Sequence, residues 1–166
     1  MLFEENDIKR FNSNFHVEPP LRSKKDKTQL QAGVKRQTID VITSNHEPHD
    51  ADAKFAPFSL TEPGITSFDT FLCSVFELAD NGKIDLASAI AAASAKPCEI
   101  LGIEGGDLSK GARADLCIYD PQKPWQVTPD TLFSAGKNTP LMGHEFSGKV
   151  VLTMVNGRVV FDELNK

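Results

Sequence analysis

Asn156-Gly157 lies between two β-branched runs, Lys149-Val150-Val151-Leu152-Thr153-Met154-Val155 and Arg158-Val159-Val160-Phe161. Asn-Gly tolerates the positive φ that both central positions of a type I′ turn demand, and that turn has the twist of paired strands. The chain therefore closes on an antiparallel hairpin. Two further runs, Asp115-Leu116-Cys117-Ile118-Tyr119-Asp120 and Trp125-Gln126-Val127, read as short strands before it. The last third is thus a small β-structure built after the helices.

Upstream the pattern differs. Phe15-His16-Val17 reads as a short strand, stopped at Pro19-Pro20 because proline cannot donate to a ladder. Ser23 reads as the cap of a helix over Lys24 to Ala32 that Gly33 ends. Thr38-Ile39-Asp40-Val41-Ile42-Thr43 is β-branched and reads as a second strand. Strand, helix, strand predicts a βαβ unit with parallel strands, so the class is α/β. Residues 44–64, punctuated by Pro48, Pro57, Pro63 and Gly64, form a long connector, and connectors of that length carry function or are disordered. The spacing of Phe68, Phe71, Leu72, Val75, Phe76 and Leu78 predicts a buried helix over Ser67 to Ala79. An alanine-rich helix is expected over Asp85 to Ser94, with a third, short one around Pro97 to Ile100.

Size and composition exclude several classes. A closed (β/α)8 barrel takes about 250 residues, and this chain has 166. Its net charge of −5 argues against a nucleic-acid surface. No run approaches the roughly 20 apolar residues of a membrane span. The N-terminus lacks the basic and apolar regions of a signal peptide. Cys73, Cys98 and Cys117 are odd in number and form no C-x-x-C pair, so they read as free thiols in a reducing compartment. Those features predict a cytoplasmic protein.

The candidate chemistry gathers in Asn45-His46-Glu47-Pro48-His49-Asp50, directly after the second predicted strand. In parallel α/β folds, sites form at the C-terminal ends of strands. A carboxylate there can hold a metal and take a proton from metal-bound water. Asn45 is instead an amide and cannot act as a base. His46 and His49, with Asp50 and His16, are the candidate metal ligands, although Pro48 bars a helical i, i+3 presentation. The alternative is that these histidines hydrogen-bond to backbone. Arg22 can meet an anionic group with its fork or serve as a helix-flanking charge. Lys24, Lys25 and Lys27 read as a solvated face, and His144 as an exposed loop residue. No Ser-His-Asp order, nucleophile elbow or Walker loop is present.

His16-Val17-Glu18-Pro19-Pro20-Leu21-Arg22-Ser23 resembles the K-V-N-P-P-L-R-S segment of dihydroorotases, within the amidohydrolase superfamily. Thr38 to His49 is similar to their T-I-D-x-I-A-T-D-H-A-P-H. Ala56-Pro57-Phe58, Lys96-Pro97, Lys110 to Leu116, Asn138-Thr139-Pro140 and Gly148 to Val160 recur in the same order. The resemblance spans nearly the whole chain, but only the C-terminal part of such an enzyme.

The resemblance implies that residues 1–108 are the last two strands and helices of a (β/α)8 metal-dependent hydrolase barrel. Residues 109–166 would then belong to the small flanking β-sandwich. Family enzymes open the cyclic amide of dihydroorotate with zinc. Of their ligand positions only the aspartate ending the eighth strand falls here, and Asn45 occupies it. The substrate-contacting asparagine of the family is replaced by Glu18, whose charge opposes an anionic substrate. His49 matches the histidine that holds the substrate carboxylate, with Arg22 a further candidate contact. No cofactor is therefore expected on this chain alone. The expected role is a non-catalytic dihydroorotase-like protein of pyrimidine biosynthesis, supporting aspartate carbamoyltransferase or associating with itself. The rival expectation is an active zinc-dependent cyclic amidohydrolase (a dihydroorotase, allantoinase or hydantoinase) completed by another chain. A third is a free-standing binding module with a rearranged α/β fold.

Overall fold

A computed structural model describes residues 1–165. The N-terminal segment runs through three single 3-10 turns, Glu5–Asp7, Lys9–Phe11 and Ser13–Phe15. The strand expected at Phe15-His16-Val17 is not formed. Asn12 accepts the Asn14 amide and His16 N–H bonds to Ser13 O, so local side-chain and turn bonds take the donors a ladder would use.

Helix α1 (Lys24–Lys35) starts as the sequence predicts. The Ser23 hydroxyl oxygen accepts from the Asp26 amide, and the Asp26 carboxylate accepts from the Ser23 amide. Gly33 does not end it. A Cβ there would lie 2.7 Å from Ile39 Cδ1, so the glycine lets the following segment pack flat against the helix. Residues 38–43 form no strand either. Thr38 and Ile39 donate to Gly33 O, Ile42 donates to Ala92 O, and the nearest β-type contact is an isolated parallel bridge between His46 and Ile65. The predicted βαβ unit therefore lacks its ladder, because no strand among the described residues pairs with the β-branched segment.

Helix α2 (Phe68–Asp80) is followed by α3 (Leu86–Ile90), a π-helical turn at Ala91–Ala95 and α4 (Lys96–Leu101). The two separate helices expected here are thus one continuous helical path. The wide π turn accommodates Pro97, which has no N–H to give the preceding turn. Beyond it lie β1 (Leu116–Asp120), β2 (Trp125–Gln126), β3 (Glu145–Phe146), β4 (Lys149–Val155) and β5 (Arg158–Asp162). The order β1-β4-β5 makes an antiparallel three-stranded sheet, and β2 pairs with β3. Asn156 and Gly157 both take positive φ, 49° and 74°, and Val155 opposes Arg158, as the type I′ hairpin requires.

Two apolar clusters meet at α2. Val75 and Leu78 join Val34, Ile84, Ala89 and Ala92 on one side. Cys73 joins Val127, Leu132, Leu141 and Phe146 on the other. One amphipathic helix therefore ties the helical part to the β tail and sets the loops at its N-terminus.

Candidate functional site

Asn45 adopts φ 44°, a left-handed conformation that asparagine tolerates better than most residues. Its exposed carboxamide Nδ2 donates to Glu18 O at 3.5 Å. The structure thus brings together the two positions that depart from the dihydroorotase pattern. It does so through the Glu18 backbone, at the cis Glu18–Pro19 peptide, and not through its exposed carboxylate.

His46 is turned the other way. Its ring stacks on Phe68 with centroids 4.1 Å apart, and Nδ1 accepts from the Ser67 and Phe68 amides at 3.0 and 3.1 Å. Those amides belong to the unsatisfied N-terminal set of α2. Ser67 makes no side-chain cap to them, its hydroxyl donating instead to Ser44 O. The imidazole therefore caps the helix. With Nδ1 accepting, the proton of the neutral ring sits on Nε2, so neither nitrogen offers a lone pair to a cation.

His49 is fixed by a clamp that the sequence does not advertise. Its amide donates to Asn138 Oδ1 at 2.7 Å, and Asn138 Nδ2 donates to Glu47 O and Gly64 O at 3.0 and 3.1 Å. Thr66 Oγ directs its one proton at Gly136 O and Asn138 Oδ1. A Cβ at Gly136 would lie 2.7 Å from His49 N, so only glycine lets the two backbones touch. The His49 ring donates from Nε2 to Pro63 O at 2.9 Å. It lines a cleft of about 450 Å³ with Ser13, Asp50, Lys54, Phe55 and Lys137. Burial pushes the Lys54 ammonium below the usual lysine range, against the pull of Glu47 and Glu62.

The remaining candidates lie apart. Arg22 is exposed and sits 3.8 Å from Asp26, which makes it a helix-flanking charge rather than part of the cleft. His16 Nδ1 donates to Thr61 Oγ, whose own proton goes to Phe58 O. Asp50 precedes the 3-10 turn Ala51–Lys54. His144 is not a bare loop residue: Nε2 meets Glu77 Oε2 at 3.0 Å, and the ring packs edge-on against Phe146. Asn138 enters the sequence reading only through the Asn138-Thr139-Pro140 motif; its role as a clamp, with Thr66 and Gly136, was missed because it lies 89 residues from His49, and spacing carries no signal at that range.

Comparison with known proteins places this arrangement. The model of the amidohydrolase family matches residues 74–161, more than half of the chain. The chain belongs to the amidohydrolase family. A dihydroorotase-like protein of Pseudomonas putida is 40% identical over 96% of this amidohydrolase chain and 37% of its own length. A dihydroorotase of Syntrophus aciditrophicus (strain SB) is 38% identical over 94% and 37%. The D-hydantoinase (dihydropyrimidinase) of Thermus sp. shares the fold, with TM-score 0.88 at 23% identity over 98% of this chain and 37% of that one. The L-hydantoinase (dihydropyrimidinase) of Arthrobacter aurescens gives TM-score 0.85 at 26% identity, over 97% and 37%. The chain therefore spans a little over a third of the length of the relatives it matches.

Amidohydrolases are generally metal-dependent, so the donors here can be tested for fit. Among the described residues no group of three or more His, Cys, Asp or Glu can hold a metal ion. His46 is committed to α2 through Nδ1 and Asn45 is neutral and turned toward Glu18, while His49, donating from Nε2 to Pro63 O, keeps its Nδ1 lone pair but belongs to no group of three such donors. The residues present do not fit a metal.

Proposed function

We propose that this chain is a dihydroorotase-like protein of pyrimidine biosynthesis that does not itself open the dihydroorotate ring. One observation carries the reading. At the station where family enzymes hold a catalytic carboxylate, an amide donates to the Glu18 backbone, and the adjacent imidazole is spent as a helix cap. Replacing a general base by a neutral amide costs about 10²–10⁴ in rate. The role is then structural, in a cytoplasmic assembly with aspartate carbamoyltransferase. Residues 1–108 act as a partial barrel segment and residues 109–166 as part of the flanking sandwich. No described helix is long and apolar enough to cross a membrane.

The test is zinc analysis of the purified chain with a dihydroorotate ring-opening assay. Sub-stoichiometric zinc and no turnover are expected; stoichiometric zinc with turnover overturns the reading. A second reading, an active zinc-dependent cyclic amidohydrolase completed by another chain, is favoured by a 38% identical relative that is a dihydroorotase. It requires turnover to appear when such a chain is added.

A further inference from the structure

An apolar pocket of about 370 Å³ lies between the N-terminal half of α2 and the β4–β5 hairpin, within the size range of small-molecule sites. Phe68, Trp125, Phe133 and Phe161 supply its aromatic lining, and Lys149 is its cation. Phe133 is 76% exposed and Phe68 67%, and both border this one pocket. Contiguous apolar surface of that kind marks a binding site, where single exposed residues do not. Polar bonds, not burial, hold Phe133 at the mouth. Asp69, in the first turn of α2, accepts from the Phe133 amide at 2.8 Å and from the Ser134 amide and hydroxyl. The Phe133 ring then meets Phe161 edge-on, with centroids 5.7 Å apart.

The polar groups on the wall select the sign of the ligand. Both Asp69 oxygens are engaged by the protein's own donors. Lys149 instead has donors to spare: an ammonium carries three protons, and Glu163 Oε1 takes one at 2.8 Å. Glu163 also holds Lys123 at 3.2 Å, so two ammoniums face a single carboxylate and one positive charge is left uncompensated. Lys149 Nζ lies 5.8 Å from the centre of the Trp125 ring, on the pocket wall. The Thr153 hydroxyl, on the same wall, bonds to no other group among the described residues. We propose that this pocket binds a small aromatic carboxylate, its ring among Phe68, Phe133 and Phe161 and its oxygens on Lys149 and Thr153. None of residues 45–49 lines the pocket, so its occupancy is independent of whether the chain opens a ring.

Trp125 is the only tryptophan of the chain, so its indole N–H is a single NMR signal reporting from the pocket wall. The test titrates para-fluorobenzoate into the full chain, with para-fluorobenzamide as its uncharged counterpart, and follows that signal and the fluorine line. A saturable shift at about millimolar benzoate is expected, with the amide binding at least about tenfold more weakly. Phe133→Ala, at an exposed position, should weaken benzoate binding at least about tenfold, whereas Phe55→Ala, exposed elsewhere, should leave it unchanged. Lys149→Met should bring benzoate down to the affinity of the amide. The proposal is overturned if no saturable shift appears, if amide and benzoate bind alike, or if Phe133→Ala binds benzoate as the parent does. It is also overturned if the indole signal moves with protein concentration alone, which makes a second copy of the chain the occupant.

Discussion

Asn138 is buried, with only 5% of its surface exposed, and its amide bonds Glu47 O, Gly64 O, the His49 amide and the Thr66 hydroxyl. Truncation would leave two carbonyls and an amide without partners in the interior. Asn138→Ala is expected to cost about 2–4 kcal/mol, read from urea unfolding. Asn138→Asp should be nearly as damaging, since a carboxylate cannot donate to the two carbonyls. Asn45 lies at the other extreme. Its one contact is long and exposed, so Asn45→Asp should change stability by less than about 0.5 kcal/mol. Restoring the family's carboxylate should also leave zinc content unchanged, because His46 stays committed to α2 and no group of three possible ligands is assembled among the described residues. Zinc recovered by Asn45→Asp alone would contradict that account.

Elements here are started and stopped by side chains from outside them. Helix α2 lacks a cap from Ser67 and takes one from His46, 21 residues upstream. His46→Ala should therefore cost about 1 kcal/mol, the usual worth of a cap. It should also speed exchange at the Ser67 and Phe68 amides while leaving α1, with its own Ser23 box, unaffected. The β4–β5 hairpin depends on positive φ at Asn156. Asn156→Ala strains that turn by about 1 kcal/mol without removing any buried contact, which a thermal melt with unchanged far-UV signal would register.

Across the whole molecule, carboxylates bound to partners bias stability toward neutral pH. Hydrogen bonds from Lys149 foremost, and from Lys123, hold the Glu163 carboxyl below its ordinary range. Glu163 thereby joins the segment before β2 to β4 and the end of β5. The Lys27 bond to Glu4 and the Ser23 bonds to Asp26 act in the same direction at the N-terminus. A depressed folded pKa adds stability above the unfolded value and loses it as pH falls through the folded one. Melting temperature should therefore drop below about pH 4.5, and Glu163→Gln should flatten that drop. An unchanged pH profile in Glu163→Gln would remove this ion pair from the account.

The amino-acid sequence determined what local chemistry can enforce. The Ser23 cap, the α2 stripe and the Asn156-Gly157 hairpin each depend on residues within a turn or two of one another. Sequence also showed that Asn45 is not a carboxylate, which no fold can reverse. Tertiary structure decided what depends on neighbours. Phe15–Val17 and Thr38–Thr43 carry strand-forming residues, but a strand exists only beside another, and the described residues place none there. Gly33 reads as a helix stop until Ile39 is packed against it. His46 reads as a ligand until the amides of α2 are brought to its ring, and Asn138 acquires a role only when loops 89 residues apart converge. Side-chain type limits what a residue can do; the long-range contacts that choose among those options are set by packing.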